Sequence, residues 1–378
     1  MLGLYLHIPF CRKACTYCNF HFSTQLKGIP ALTKAMIAEI EQRKNEYNQP
    51  LQTIYFGGGT PSVLPPEQLT DLFEAIHRNF DTSQVEEITL EANPEDISPE
   101  NLKLWKSLGI NRFSLGIQSL NATELAAMNR QHSPSDTLKT VALIHEHQFN
   151  NFSIDLIYGS PWKSHEQWEQ ELQWAIQSGA THISAYALTV EPKTKLNHDV
   201  QKGKTPPPND EHMTTQFMML QAIMNQNGWD AYEISNYCKP GHRAIHNSNY
   251  WKGLPYVGIG PSAHSFEGYQ RRWNVANNAL YMSNIEQHKP YWESETLTPI
   301  DQFNEYLMIR FRTSEGVEKL ALSAMNSSWL SDYSQEIRGF KNEGYMLEND
   351  THFKLTNKGK LISDHIIATL MLEQTNII

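Results

Sequence analysis

The chain has 378 residues, 40% of them hydrophobic and 19% charged, with a formal net charge of −10. That is enough for one large folded unit plus a smaller one, too apolar for a disordered segment, and in bulk too acidic to indicate a nucleic-acid-binding surface. No apolar run approaches the ~20 residues of a membrane span, and the first cysteine comes too early for a secretory leader, so a cytoplasmic setting, where cysteines stay reduced, is expected.

Residues 2–8 form a short apolar stretch that reads as a strand, and Pro9 cannot continue its ladder. The loop that follows holds three of the four cysteines, Cys11, Cys15 and Cys18, at CxxxCxxC spacing. Soft thiolates suit a soft metal centre. A closed zinc or iron–sulfur site usually takes four protein ligands, so three leave one position free, and on iron that position can hold a second cofactor. Arg12 and Lys13 flank the cysteines as cations that favour thiolate over thiol. The same residues also admit a zinc site completed by His7 or His21, the centre of a zinc-binding interaction module, or three buried and inert thiols. Cys238 stands alone, and the set does not read as a disulfide framework.

Residues 31–47 predict an amphipathic helix carrying Met36, Ile37 and Ile40, and 53–56 a short strand running into Gly57-Gly58-Gly59-Thr60. Pro66 and Glu67 open a helix with Leu69, Leu72, Phe73 and Ile76 on one face. A strand over 87–92 precedes a helix with Ser98 as N-cap, Pro99 in its first turn and Gly109 as its stop. The cycle repeats: strand 112–117, a helix capped by Ser133-Pro134 and running to about 147, strand 152–158, a helix opened by a Ser164/Gln167 capping box and ended by Gly179, and strand 182–188. A proline-rich link over 204–209 leads into a methionine-rich helix whose stripe Phe217, Met218, Leu220, Ile223 and Met224 predicts core packing.

Six strand–helix alternations imply an α/β fold with a parallel sheet and right-handed crossovers. The region falls short of the ~250 residues of an eight-fold barrel, so a partial β/α barrel is expected over 1–290, its site at the carboxyl ends of the strands. Over 291–378 the pattern changes to helices at 303–311, 320–327, 329–343 and 361–372, with a hairpin pairing 345–347 with 352–355. This predicts a mainly helical, winged-helix-like module. It is not notably basic, which favours a lid or docking role over DNA binding.

The CxxxCxxC loop just past a first strand, with Tyr17 before its last cysteine, resembles the radical S-adenosylmethionine (SAM) superfamily. The stretches LYLHIPFC, YCNF and YFGGGTPS resemble the oxygen-independent coproporphyrinogen III oxidases and the haem chaperones related to them, and the resemblance covers most of the chain. It implies a (β/α)6 TIM-like radical SAM barrel, a [4Fe–4S] cluster on Cys11, Cys15 and Cys18, and SAM chelating the fourth iron. The triple glycine lacks the Gly-Lys-Ser/Thr ending of a phosphate loop; alone it reads as a tight turn or a place of close backbone approach. The resemblance assigns Gly58, Gly59 and Thr60 to the SAM amino group. It assigns further SAM contacts to Glu91 in LEANPED, Gln118 in LGIQSL, Arg130 in MNRQH and Asp155 in SIDLIYG, with Tyr5 and Tyr17. Asp155 also interrupts an apolar strand, which is costly unless the acid is bonded or functional, whereas Tyr5 equally suits ordinary packing.

Three features separate the two branches of that family. The oxidases end their loop Cys-Gly-Cys, where this chain has Cys18-Asn19-Phe20; they carry a longer segment before the cluster; and the chaperones carry an HNxxYW motif, present here as His246-Asn247-Ser248-Asn249-Tyr250-Trp251. All three favour the chaperone branch, which implies haem as ligand and haem-requiring acceptor proteins as partners. Oxidative decarboxylation of coproporphyrinogen III is the alternative. His246 can offer a neutral imidazole to haem iron, Asn247 belongs to the same motif, Tyr250 and Trp251 offer flat faces with polar edges, and His264 in GPSAHSF is a second polar group for the same cavity. The sequence leaves a homodimer and a peripheral membrane contact open.

Overall fold

The structure is a computed structural model in which residues 1–373 are described; the last residues of the C-terminal module, 374–378, lie outside them. Along the first half of the chain run β1 (Leu2–Ile8), α1 (Ile29–Arg43), β2 (Leu51–Gly58), α2 (Pro66–Asn79), β3 (Glu87–Ala92), α3 (Pro99–Ser107), β4 (Arg112–Gln118), α4 (Ala122–Ala127), α5 (Pro134–Glu146), β5 (Phe152–Tyr158), α6 (His165–Gln177) and β6 (His182–Ala187). Each of these strands pairs parallel with the next in chain order. The expected caps are in place: Ser98 accepts from the Asn101 N–H, and Ser133 and Ser164 close capping boxes with Asp136 and Gln167. α1 begins at Ile29, ahead of the expected position, because Pro30 fits a first turn where no N–H is needed.

Within the strands, side chains divide by parity. Leu2, Leu4, Leu6 and Ile8, with Ile54, Phe56, Leu90, Phe113, Leu115, Phe152, Ile154 and Leu156, are buried in one apolar core. The alternate positions face the barrel interior and are largely polar. Register sets Tyr5 beside Tyr55, Glu91 beside Ser114, and Asp155 beside Ser184. A parallel sheet is normally apolar on both faces, so this polar inner face marks where the chemistry sits.

After β6 come α7 (Lys195–Gln201), α8 (Asp210–Gln226) and β7 (Asn236–Cys238), the last antiparallel to β6. In α8 the expected stripe is buried except Met218, which lies off it and is 41% exposed. At the opposite edge, α9 (Ile245–Trp251) carries the HNxxYW residues, and β8 (Tyr256–Ile259) joins β1 in parallel. β9 (His264–Glu267), β10 (Gln270–Asn274), α10 (Asn278–Glu286) and β11 (Trp292–Thr296) follow, extending an 11-stranded sheet as an antiparallel meander. The expected boundary at 290/291 therefore falls inside this sheet, which continues to Thr296.

A second core gathers Phe303, Leu307, Trp329, Phe353 and Ile366. Its elements are α11 (Pro299–Arg310), β12 (Val317–Glu318), α12 (Lys319–Met325), α13 (Trp329–Asp332), α14 (Ser334–Asn342), β13 (Met346–Glu348), β14 (His352–Leu355), α15 (Asn357–Leu361) and α16 (Ser363–Leu370). The hairpin is as expected, and β12 adds a third strand beside β14, which completes a winged-helix-like arrangement. The helix expected over 329–343 breaks at Tyr333, and the closing helix expected over 361–372 is the shorter α16, with α15 as a separate short helix before it. Among the described residues no helix is long and apolar enough to cross a membrane.

Candidate functional site

Cys11, Cys15 and Cys18 are free and half-buried, and they line one cavity of about 450 Å³ at the carboxyl ends of the strands. The same cavity is lined by Tyr17, Gly58, Gly59, Thr60, Glu91, Gln118, Arg130 and Asp155, so every expected SAM residue except Tyr5 meets the cysteines there. Tyr5 sits deeper on β1, its hydroxyl 3.1 Å from His7 Nδ1, and faces two neighbouring cavities instead. Cys238 is buried in β7, apart from the other three.

The triple glycine builds the floor under the cysteine loop. Gly59 N–H donates to the Ile8 carbonyl at 2.9 Å and Thr60 N–H to the Phe10 carbonyl at 2.7 Å, while the Thr60 hydroxyl lies 3.4 Å from Cys11 Sγ. A methyl on Gly59 would come within 2.7 Å of both carbonyl oxygens; at Gly58 the backbone has φ +103 and a methyl would strike the His7 ring. The glycines are thus required first by the packing of the loop's base.

Arg12, expected to act on the thiols, instead pairs with Asp96 at 2.8 Å. Arg130 takes that place: its Nη1 lies 3.6 Å from Cys15 Sγ, and its Nη2 bonds Asn93 Oδ1 at 2.6 Å and the Gly116 carbonyl. Burial pushes the Cys11 thiol up to about 11 and raises that of Cys18. Metal loading must therefore release protons.

Two carboxylates face the cysteines across the cavity. Glu91 accepts from the Tyr55 hydroxyl at 2.7 Å and the Gly58 N–H at 3.2 Å, and burial pushes its carboxyl up to about 7. Asp155 accepts from Ser114 at 2.9 Å and Ser153 at 3.1 Å, and burial raises it too. The intrastrand acid is thus both bonded and on the cavity wall. Gln118 leaves β4 at φ +67, a backbone state costing ~1–3 kcal/mol in a non-glycine residue. A buried network holds that turn: the Ser119 hydroxyl lies 2.6 Å from Glu124 and 2.7 Å from Glu171, and Lys163 pairs with Glu171 at 2.6 Å. Sequence reading missed Tyr55, Asn93 and Ser114; counting by twos from Glu91 and Asp155 and their neighbours in register would have found Tyr55 and Ser114.

The donor set fits an iron–sulfur cluster better than zinc. Among the described residues no three His, Cys, Asp or Glu side chains can share a single metal ion, whereas zinc needs all its ligands within ~2.3 Å of one point. His7 and His21 are also engaged, His7 Nε2 with the His21 carbonyl at 2.9 Å and His21 Nε2 with Asn278 at 2.7 Å. A cubane gives each thiolate its own iron, so three thiols spread round one cavity suit it. Among the described residues Arg130 Nε is buried without a hydrogen-bond partner, a donor left over for a carboxylate-bearing ligand such as SAM.

A second cavity, of about 830 Å³, adjoins the first and shares Asn19 and Phe20 with it. Asn247, Tyr250 and Trp251 of α9 line it, with Tyr256, His264 and Phe266 from β8 and β9 and Tyr306, Ile309 and Met325 from the C-terminal unit. His246 does not face it. That ring is 2% exposed, with Nδ1 2.7 Å from the Thr53 hydroxyl, Nε2 2.8 Å from the Tyr250 hydroxyl, and its face stacked on Tyr55. Burial pushes its pKa down to about 3, so it is neutral. It lines a smaller interior cavity of about 210 Å³ with Glu91 and Arg112. The motif was legible in sequence, but the direction of its histidine was not.

Three cysteines at the mouth of a partial barrel, facing a strained glutamine, an arginine and two carboxylates, define a radical SAM protein. The profile described as "Radical SAM superfamily" matches residues 5–175, which include all three cysteines and every expected SAM residue. That superfamily implies a [4Fe–4S] cluster and SAM, which Cys11, Cys15 and Cys18 and the residues around them would hold. The "Heme chaperone HemW" of Bacillus subtilis is 32% identical over 378 residues, covering 99% of this chain and 100% of that protein. The protein of the same name from Synechocystis sp. is 33% identical over 396 residues, covering 97% and 95%. Coproporphyrinogen III oxidase (HemN) from Escherichia coli superposes with a TM-score of 0.84 at 21% identity, covering 98% of this chain and 90% of that one, a likeness of fold. The chain belongs to the HemW family of haem chaperones.

Proposed function

We propose that this protein binds haem in the 830 Å³ cavity and delivers it to haem-requiring acceptor proteins, with a [4Fe–4S] cluster on Cys11, Cys15 and Cys18 and SAM in the adjoining one. The observation that carries this reading is the junction itself: an aromatic cavity within the ~300–1,000 Å³ range of ligand sites opens beside the cysteine cavity and shares two residues with it. Tyr250 and Trp251 supply flat faces for a macrocycle. Among the described residues Trp251 Nε1 is buried without a hydrogen-bond partner, as a donor awaiting a ligand would be. Tyr306, Ile309 and Met325 make the C-terminal unit one wall of the seat, which fits the docking or lid role expected of it.

In this reading, Arg130, Glu91 and Asp155 hold SAM's polar groups, while Thr60 and Arg130 shield the cysteine sulfurs. A cytoplasmic setting fits three unbridged thiols. Homodimer formation and a peripheral membrane contact belong to the same proposal; sedimentation and vesicle flotation test them. The oxidase alternative shares the barrel but ends its loop differently.

Haem titration of the full chain, followed in the Soret band, tests the seat. Saturable binding at one haem per chain is expected, weakened at least tenfold (~1.4 kcal/mol) by Trp251→Ala combined with Tyr250→Phe. Unchanged affinity in that double variant would remove haem from this cavity.

A further inference from the structure

A haem seat needs a group that can reach the iron, and the HNxxYW histidine does not present one, since both ring nitrogens of His246 are already hydrogen-bonded. Two neighbouring imidazoles are engaged as well, one at both ring nitrogens and one at a single nitrogen. His7 has Nδ1 against Tyr5 and Nε2 against a carbonyl, and His21 has Nε2 on Asn278. His264 is exposed in the 830 Å³ cavity, and its ring nitrogens make no hydrogen bond or ion pair among the described residues. It starts β9, which is fixed by pairing with β8 and β10, and its ring packs at a tilt against Trp273, 6.3 Å between centroids. The turn that aims it contains Ser262, a non-glycine residue at φ +65 on the cavity wall. Backbone strain of this kind persists where surrounding structure holds it, often at ligand sites.

We propose that His264 is the axial ligand to the iron of haem bound in this cavity, and that His246 is a positioning residue that holds Tyr250 on the cavity wall. The inference rests on the haem reading above and adds the coordinating atom to it. A neutral imidazole on a rigid strand, free of hydrogen bonds, can coordinate iron without first breaking another contact. His246 would have to give up Tyr250 or Thr53.

The test is ferric haem titration of the full chain, read by absorption and electron paramagnetic resonance. Wild type is expected to show a histidine-ligated spectrum. His264→Ala should lose that spectrum and bind at least tenfold more weakly, with added imidazole restoring the spectrum. His264→Cys should give a thiolate-type spectrum, and His246→Gln should keep the histidine-ligated one. A wild-type spectrum in His264→Ala, or its loss only in His246→Gln, would overturn the assignment while leaving the haem reading intact. No saturable binding by wild type would overturn both.

Discussion

Glu91 shows how a single residue responds to the barrel's polar interior. Its carboxyl is pushed up to about 7 by burial, against an ordinary 4.5. The folded chain therefore holds this proton more tightly than the unfolded chain, and the stability tied to protonation, fully present below 4.5, is lost as pH rises through about 7. In cofactor-free protein, Glu91→Gln should be more stable than wild type at pH 8, by about 2 kcal/mol once screening by cavity water is allowed for, with the gap closing towards pH 5. Urea melts at the two pH values read this directly, and an equal gap at both would mean that the carboxylate is well solvated. At this scale the sequence identified residue types but not their directions. Asp155 was legible because an acid is conspicuous in an apolar strand, yet of its serine partners Ser114 lies on the neighbouring strand and only Ser153, two residues back on the same face, is local. His246 was legible through its motif, yet Thr53 and Tyr250 turn it inward.

The cysteine loop and the triple glycine act as one element. Gly59→Ala would set a methyl against the Ile8 and Phe10 carbonyls. It should cost about 2 kcal/mol or more and reduce the iron retained after reconstitution. Gly339→Ala in α14 is the control: among the described residues nothing lies within 4 Å of a methyl there, so it should be neutral or stabilise by up to ~1 kcal/mol. Thermal unfolding and iron content measured on both variants check the pair; equal behaviour would show that the glycines are not needed for packing. Elements with strong local signals were legible: the parallel strands, the serine caps and the C-terminal hairpin. β8 to β11 were not, because they are short and β11 is exposed at every position, which leaves no apolar period to read.

At the scale of the whole molecule, the edge that the sequence did not reveal is what builds the second cavity. β8, β9 and α9 form one side of it and the C-terminal unit another, while Asn19 and Phe20 on the cysteine loop separate it from the first. Phe20 is 67% exposed at that junction. Residues far apart in the chain meet here, so no local pattern could have drawn the cavity, although the motifs placed several of its residues. The central claim is that cluster with SAM and haem occupy two adjoining sites at once. The most direct measurement is haem titration of anaerobically reconstituted protein with and without saturating SAM, with cluster iron and sulfide quantified at the end point. The account predicts one haem per chain, unchanged cluster content and retained SAM. Displacement of SAM by haem, or loss of cluster iron as haem binds, would show a single shared site and contradict it.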